Sequence, residues 1–257
     1  MQSTARSVCK SIIHPNPDYN SMTKISIIIP VYNEEKTLPT LVSAVEKVEL
    51  PLEKELIFVD DFSSDGSRNM LLNYKDKHKV IFLDKNQGKG AAVKRGFQEA
   101  TGDIVLIQDA DLEYNPEEYP DLIKPILDGT ADVVYGSRFL KSEKTKDNKV
   151  VYRHGLLFSK ALNWLSGIFS GVPTSDMYTC YKVFSGRAIG IIHPRLVSKR
   201  FGIDPELTAW VGKNKLKFME VPISYQGRTY AEGKKINWKD GIAAIWHIVR
   251  FNLFSRK

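Results

Sequence analysis

The chain carries only two cysteines, Cys9 and Cys180, in 257 residues. That excludes a disulfide framework and points to an intracellular setting. No histidine or acid pattern beside Cys180 marks it as a nucleophile, so it reads as a small core residue. The five histidines, His14, His78, His154, His193 and His247, show no ligand spacing, so no histidine metal centre is expected. No apolar run is long enough to span a bilayer. There is no internal repeat, and no Gly-x-Gly-x-x-Gly or Gly-x-x-x-x-Gly-Lys-Ser/Thr phosphate loop. A diphosphate would therefore be gripped through a metal ion and basic side chains. Basic residues occur without any nucleic-acid module pattern, so no nucleic acid partner is expected.

Hydrophobic residues make up 42% of the chain, enough for a full core. The length fits one large domain, or one domain with an appended subdomain. The net charge of +7 is concentrated at one end: from Lys213 onward there are ten Lys and Arg against three Asp and Glu, which accounts for the whole excess. A basic end on a neutral body suits an anionic partner, a class that takes in phosphate, acidic membrane and nucleic acid. Residues 1–22 are poor in acids and lack the apolar centre of a secretory signal, so they read as a disordered or targeting extension.

Residues 103–113, Asp-Ile-Val-Leu-Ile-Gln-Asp-Ala-Asp-Leu-Glu, are the stretch around which the rest is organised. Four apolar residues, Ile104 to Ile107, suit a strand buried on both faces of a parallel sheet. Asp109 and Asp111 are two apart and project to the same side of extended backbone, with Glu113 joining them if the extension persists. Carboxylates at the carboxyl end of a central strand lie where open α/β sheets bind ligands. Hard oxygens suit Mg2+ or Mn2+ shared with a diphosphate; the plain alternative is a set of solvated loop acids.

Periodicity predicts strands at 25–30, 55–59, 80–83 and 132–135, with helices over 36–48, 67–77, 90–100 and 116–127. This alternation implies a right-handed, mostly parallel α/β sheet. The charged segment 141–149 reads as a surface loop. Beyond it come an apolar amphipathic helix at 155–169, a strand at 178–184, a short helix at 204–211, a strand at 217–225 and a helix at 238–254. The last helix carries Trp238, Ile242, Ile245, Trp246, Val249 and Leu253 on one stripe. Both long C-terminal helices suit a bilayer interface and, equally, packing on the sheet.

Polar residues end three of these strands: Pro30-Val31-Tyr32-Asn33-Glu34, Asp60-Asp61 and Asp109-Ala110-Asp111. From neighbouring strands they would converge on one cleft. Together with Asn-Gln-Gly-Lys-Gly-Ala-Ala (86–92), Gly-Ser-Arg (136–138), Asp-Met-Tyr-Thr-Cys-Tyr-Lys-Val-Phe (176–184) and Gly-Arg-Thr-Tyr-Ala-Glu-Gly-Lys-Lys-Ile (227–236), this series resembles the family 2 glycosyltransferases of GT-A fold. More narrowly, it is similar to the dolichyl- and polyprenyl-phosphate hexose synthases. The resemblance covers about residues 24–250. It implies a GT-A, Rossmann-like, mostly parallel sheet flanked by helices over residues 23–257, with C-terminal amphipathic helices. The nucleotide-sugar half would be about 23–140, and an acceptor- and membrane-facing half about 150–257.

Carried onto this sequence, the resemblance implies that Pro30, Tyr32, Glu34, Val59 and Asp61 hold the base and ribose of a nucleotide sugar. Asp109, Ala110, Asp111 and Glu113 would surround the metal-bound diphosphate, the two aspartates and Glu113 being the ligands. Glu113 stands where the mannose synthases carry Gln. Arg138 would face phosphates or acceptor. Arg228 and Lys234 would lie on a loop, bracketed by Gly227 and Gly233, that closes over both substrates. The implied reaction is inverting transfer of a hexose, from a donor of UDP-glucose or GDP-mannose type, to a polyprenyl or dolichyl phosphate. It would take place at the cytosolic face of a membrane, on a peripheral enzyme with room for a small membrane partner subunit. Asp111, Arg138, Arg228 and Lys234 would carry catalysis by stabilising the leaving nucleoside diphosphate. A phosphate monoester has a second pKa of about 6, so this acceptor needs no strong base.

Several residues also have plainer readings. Asp61 and Asp65 suit caps for the next turn. Lys89 suits a solvated lysine at a helix start, and Gly88 and Gly90 suit the turn alone. Asp176 suits a cap or a partner for Lys182. A soluble-acceptor transferase would need a carboxylate base, with Asp176, Asp204 and Glu206 as candidates. A non-catalytic nucleotide-binding module would not need the acidic set at 109–113.

Overall fold

In the computed structural model, the described residues are 21–148, 153–228 and 238–255. Seven strands form one mixed sheet: β1 (Lys24–Val31), β2 (Glu53–Asp60), β3 (Lys79–Phe82), β4 (Ile104–Ile107), β5 (Val133–Ser137), β6 (Lys182–Ser185) and β7 (Phe218–Pro222). Their order across the sheet is β3-β2-β1-β4-β6-β5-β7, which makes β4 the middle strand. The pairs β1–β2, β1–β4, β2–β3 and β5–β7 are parallel, and β6 runs antiparallel between β4 and β5. The expected α/β sheet, mostly parallel, is therefore present.

The β-branched run of β1 is buried on both faces, with Ile25, Ile27, Ile28 and Ile29 fully inaccessible. Both faces are covered by helices that follow the strands, as parallel pairing requires. Helix α1 (Leu38–Lys47) turns Leu38, Leu41, Val42 and Val45 inward. After α2 (Ser67–Leu72), helix α3 (Lys89–Glu99) begins at Gly88, whose φ of 95° favours glycine. Gly88 and Gly90 serve more than the turn. A Cβ on either would come within 2.7 Å of the Lys199–Arg200 backbone, so both admit that segment against the helix. Helix α4 (Tyr119–Leu127) follows β4.

The second half adds α5 (Arg153–Ser170), α6 (Gly186–Ile192), α7 (Ile203–Lys213) and α8 (Trp238–Val249), the last continued by a π-helical turn at Arg250–Phe254. The 178–184 expectation is corrected: only Lys182–Ser185 is strand, because the chain turns at 176–179 with Thr179 N–H donating to the Asp176 carbonyl. Helix α6 was not anticipated.

Helices α5 and α8 bury few of their described apolar side chains, and those lie apart from the main core. Leu162, Met177, Ala244 and Ile248 form a small core of their own. Trp164 is 70% exposed, Ile242 61% and Trp246 56%. Packing of this stripe on the sheet, the alternative to an interface helix, is thereby excluded for these residues. Among the described residues, no helix is long and apolar enough to cross a membrane.

Candidate active site

Because β1, β2, β4 and β5 run in one direction, their carboxyl ends meet along one edge, and the polar residues found there share a cleft. Beyond Ile107 the chain does not stay extended. Asp111 Oδ1 accepts the Glu113 N–H at 3.1 Å, and Leu112 takes φ 62° in the left-handed region. Glu113 thus reaches the cluster through a turn, and not through the two-residue alternation of a strand.

The result is a crowded acidic group. Burial, then the carboxylates of Asp109 and Glu113, push the Asp111 carboxyl up to about 7. Arg228 opposes that shift. Its guanidinium binds Glu34 at both oxygens, each at 3.1 Å, and lies 3.2 Å from Asp111 Oδ2. Its Nε stands 3.8 Å from Glu113. Glu113 fixes the segment that delivers Arg228: its Oε1 accepts the Arg228 N–H at 2.8 Å, and its Oε2 accepts the Tyr225 hydroxyl at 2.9 Å. On the other side, Lys89 Nζ donates to Asp109 Oδ2 at 2.7 Å. Burial alone would lower the Lys89 pKa, but the Asp109 carboxylate outweighs it and holds the ammonium charged. Lys89 is therefore part of the site and not a solvated helix-start lysine.

Arg138 follows β5 and is held by Asp176, which is fully buried. Asp176 accepts from Arg138 Nε and Nη2 at 2.7 Å each, and from its backbone N–H at 3.0 Å. The guanidinium also faces the Tyr225 ring at 4.8 Å. Asp176 does not pair with Lys182, whose ammonium is buried on Asp204 at 2.5 Å. Glu206 is occupied by the backbone N–H groups of Val197 and Ser198, at 2.9 and 2.8 Å.

The expected nucleotide residues line the other end. Pro30 and Val59 are register partners in β1 and β2, Tyr32 is partly exposed just beyond β1, and Ala110 is buried beside Asp109. Asp61 does not cap the next turn. That turn is held by Asp60, through Ser63, and by Asp65, through Ser67. Asp61 instead accepts from Gln87 N–H and Gly88 N–H at 2.7 Å each and from Asn86 Nδ2 at 2.9 Å. Burial raises its pKa against those hydrogen bonds. Lys234 and Gly233 lie outside the described residues.

Sequence reading missed Tyr225, Asn148 and Glu118. Asn148 ties the Arg138 carbonyl to the Tyr225 N–H, at 3.0 and 2.7 Å, and Glu118 accepts the Ser224 N–H at 2.9 Å. Their partners are 77 and 106 residues away, so no local pattern marks them.

Among the described residues, no three acidic, histidine or cysteine side chains form a ready metal cage. The donor set still fits a divalent ion that completes its shell with diphosphate oxygens. Asp109 and Asp111 are hard ligands, and their mutual repulsion is what such an ion relieves. Lys89 and Arg228 occupy these carboxylates here. Glu113, with both oxygens engaged, would have to release a partner to join them.

Known proteins bear on this geometry. A dolichyl-phosphate beta-glucosyltransferase of Trichomonas vaginalis is 29% identical over 247 residues, covering 90% of this chain and 74% of that protein. A dolichol-phosphate mannosyltransferase of Pyrococcus furiosus is 40% identical over 126 residues. An undecaprenyl-phosphate 4-deoxy-4-formamido-L-arabinose transferase of Proteus mirabilis is 44% identical over 117 residues. These last two matches span 48% and 43% of this chain, and 36% of each relative's length. The fold is that of glucosyl-3-phosphoglycerate synthase from Mycobacterium tuberculosis, solved with Mn2+, UDP and phosphoglyceric acid. The TM-score is 0.67 at 17% identity, over 90% of this chain and 78% of that one. The model of the family described as glycosyl transferase family 2 matches residues 26–185, from β1 through β6 and the whole acidic cluster, and the chain belongs to that family.

Proposed function

We propose that this protein transfers a hexose, with inversion, from a nucleotide sugar of UDP-glucose or GDP-mannose type to a polyprenyl or dolichyl phosphate. The observation that carries the choice of acceptor is the state of the three carboxylates a hydroxyl acceptor would call on. Asp176 is locked on Arg138, Asp204 on Lys182, and Glu206 on two backbone amides. A phosphate acceptor, largely dianionic near neutral pH, makes no use of such a base. The named relatives that act on lipid phosphates support the same reading.

In this reading Pro30, Tyr32, Val59 and Asp61 seat the nucleoside. Asp109 and Asp111 hold Mg2+ or Mn2+, with Glu113 as the third carboxylate. When bound, the ion neutralises charge developing on the leaving diphosphate. Arg228 leaves its present partners, Glu34 and Asp111, for the donor phosphates, in concert with Lys234. Arg138, oriented by Asp176, faces the acceptor phosphate. The exposed apolar residues of α5 and α8, beside the basic end of the chain, lie on the cytosolic face of a membrane, where a small membrane subunit has room to join.

The test is transfer of label from UDP-glucose and GDP-mannose to polyprenyl phosphate with Mg2+, Mn2+ or EDTA. Lipid-soluble product that requires the ion, and that is lost in Asp111→Asn with folding retained, is the expected result. Equal product in EDTA sinks the metal role. Donor hydrolysis without lipid product sinks the acceptor.

A further inference from the structure

A second cleft adjoins the nucleotide end of the site, where its lining residues Asn86 and Gln87 hold the Asp61 carboxylate. It has a volume of about 400 Å³ and opens between the 85–87 turn, the 197–202 segment and the C-terminal helix. Five lining side chains are basic or imidazole: Lys85, Lys199, Arg200, His247 and Arg250. No carboxylate lines it, and among the described residues none of those lysines and arginines forms an ion pair. Asp61 acts on Arg200 from the nucleotide end and Glu206 acts on His247, but the lysines and arginines still outnumber these carboxylates, and such a concentration of positive charge in a concave site attracts anions.

The cleft is built from fixed parts of the fold. Its 198–200 wall is fixed by Gly88 and Gly90 on one side and by the Glu206 carboxylate on the other. The His247 ring is admitted because residue 202 is glycine; a Cβ there would stand 2.9 Å from the ring. Two buried polar atoms of the lining, Ser198 Oγ and His247 Nδ1, have no hydrogen-bond partner. Ser198 is only 8% exposed. Both atoms are closed to solvent, so the groups that face the cleft are its four exposed cations, Lys85, Lys199, Arg200 and Arg250, and these suit a ligand with acceptor oxygens.

A phosphate group has that chemistry: several acceptor oxygens and a charge that Arg and Lys both bind. The position of the cleft selects the source. His247 and Arg250 belong to the helix that exposes Ile245, Trp246, Leu253 and Phe254. We propose that this cleft takes the headgroup phosphate of an anionic lipid when α8 lies on the bilayer, as a site separate from that of the acceptor phosphate. This rests on the membrane reading above and deepens it: the apolar residues supply depth, and the cleft supplies selectivity for charge.

The test uses the full chain in co-flotation with phosphatidylcholine vesicles, with and without phosphatidate, and in calorimetric titration with inorganic phosphate. The variant is the triple Lys85→Gln, Lys199→Gln, Arg250→Gln. A control triple, Lys36→Gln, Lys47→Gln, Lys141→Gln, removes the same charge elsewhere. Attraction to an anionic surface changes about fivefold per basic residue, so the cleft triple should bind phosphatidate vesicles roughly a hundredfold more weakly. The control triple and binding to neutral vesicles should change little. Equal losses in both triples, or none in the cleft triple, overturn the proposal. Phosphate heat that disappears in the cleft triple while flotation is unchanged overturns the lipid source and leaves a soluble phosphate as ligand. Absence of flotation on any vesicle overturns the membrane reading and the lipid source with it. The phosphate titration then decides the cleft by itself: heat lost in the cleft triple assigns it to a soluble phosphate, and no heat overturns it as an anion site.

Discussion

Asp176→Asn separates an anchoring carboxylate from a catalytic base. In the native protein Asp176 Oδ2 accepts from both the Arg138 N–H and Nε, and Oδ1 accepts from Nη2. An amide has one acceptor oxygen, so one NH2 must face a guanidinium N–H, and the Arg138 charge loses its counter-ion. The aspartate side chain is fully buried and the arginine side chain 14% exposed, so solvent does not replace what is lost. Breaking one partner of such a pair costs about 3–5 kcal/mol. With a urea slope of about 3 kcal/mol/M for a chain of this size, the unfolding midpoint should fall by roughly 1–2 M. Turnover of the folded fraction should also fall, because Arg138 is no longer aimed at the acceptor, but the pH profile should keep its shape. The assay pairs urea unfolding followed by circular dichroism with transfer rates measured across pH. A variant that keeps the native midpoint and loses turnover together with the acidic limb of its pH profile would make Asp176 the base. That result refutes the assignment of a phosphate acceptor.

Arg228→Lys keeps the charge but cannot reproduce the two-point grip on Glu34, and a point charge does not match a diphosphate as a fork does; we expect transfer to fall by about 10–100-fold with stability nearly unchanged, measured by label transfer and thermal melting. Burial, against hydrogen bonds from Ser175 and Thr174, raises the Glu220 pKa above its ordinary 4.5, so ionised Glu220 destabilises the fold; its penalty is absent below about 4.5 and grows as pH rises through the folded-state value. Glu220→Gln should flatten that part of the melting-temperature profile, and an unchanged slope would remove Glu220 as its source. Trp164→Ser with Trp246→Ser should leave unfolding stability within about 0.5 kcal/mol per site, since neither side chain is core, and should abolish vesicle flotation. A loss of about 3–5 kcal/mol per site would instead mean that these rings are buried in solution.

The strands around the site were legible because each is a short apolar run ended by a polar residue. Ile27–Ile29 and Ile104–Ile107 read as doubly buried strands, and they are. The placement of carboxylates at their ends was legible for the same reason: in a parallel sheet, residues that follow each run collect on one edge. Asp109, Asp111, Asp61 and Glu34 were found in this way. Helices α5 and α8 were legible as helices but ambiguous in orientation. A stripe of Trp, Ile and Leu has the same period whether it meets a sheet or faces outward.

By itself, then, the sequence determined most of the elements, their alternation in the first half, the Asp109–Asp111 pair and the family, each read from short local motifs; it missed α6 and overran β6, where burial on the packed sheet decides. Only the tertiary structure decided which charges meet. Arg228 is paired with Glu34 across 194 residues, Arg138 with Asp176 rather than leaving Asp176 to Lys182, and Lys89 with Asp109. It also decided that β6 enters antiparallel between β4 and β5, and that Glu113 reaches the cluster through a left-handed turn at Leu112. The physical reason is range. Burial and backbone preference are read from neighbours in sequence, whereas an ion pair depends on which strand ends and loops the packed core brings within a few ångströms of each other.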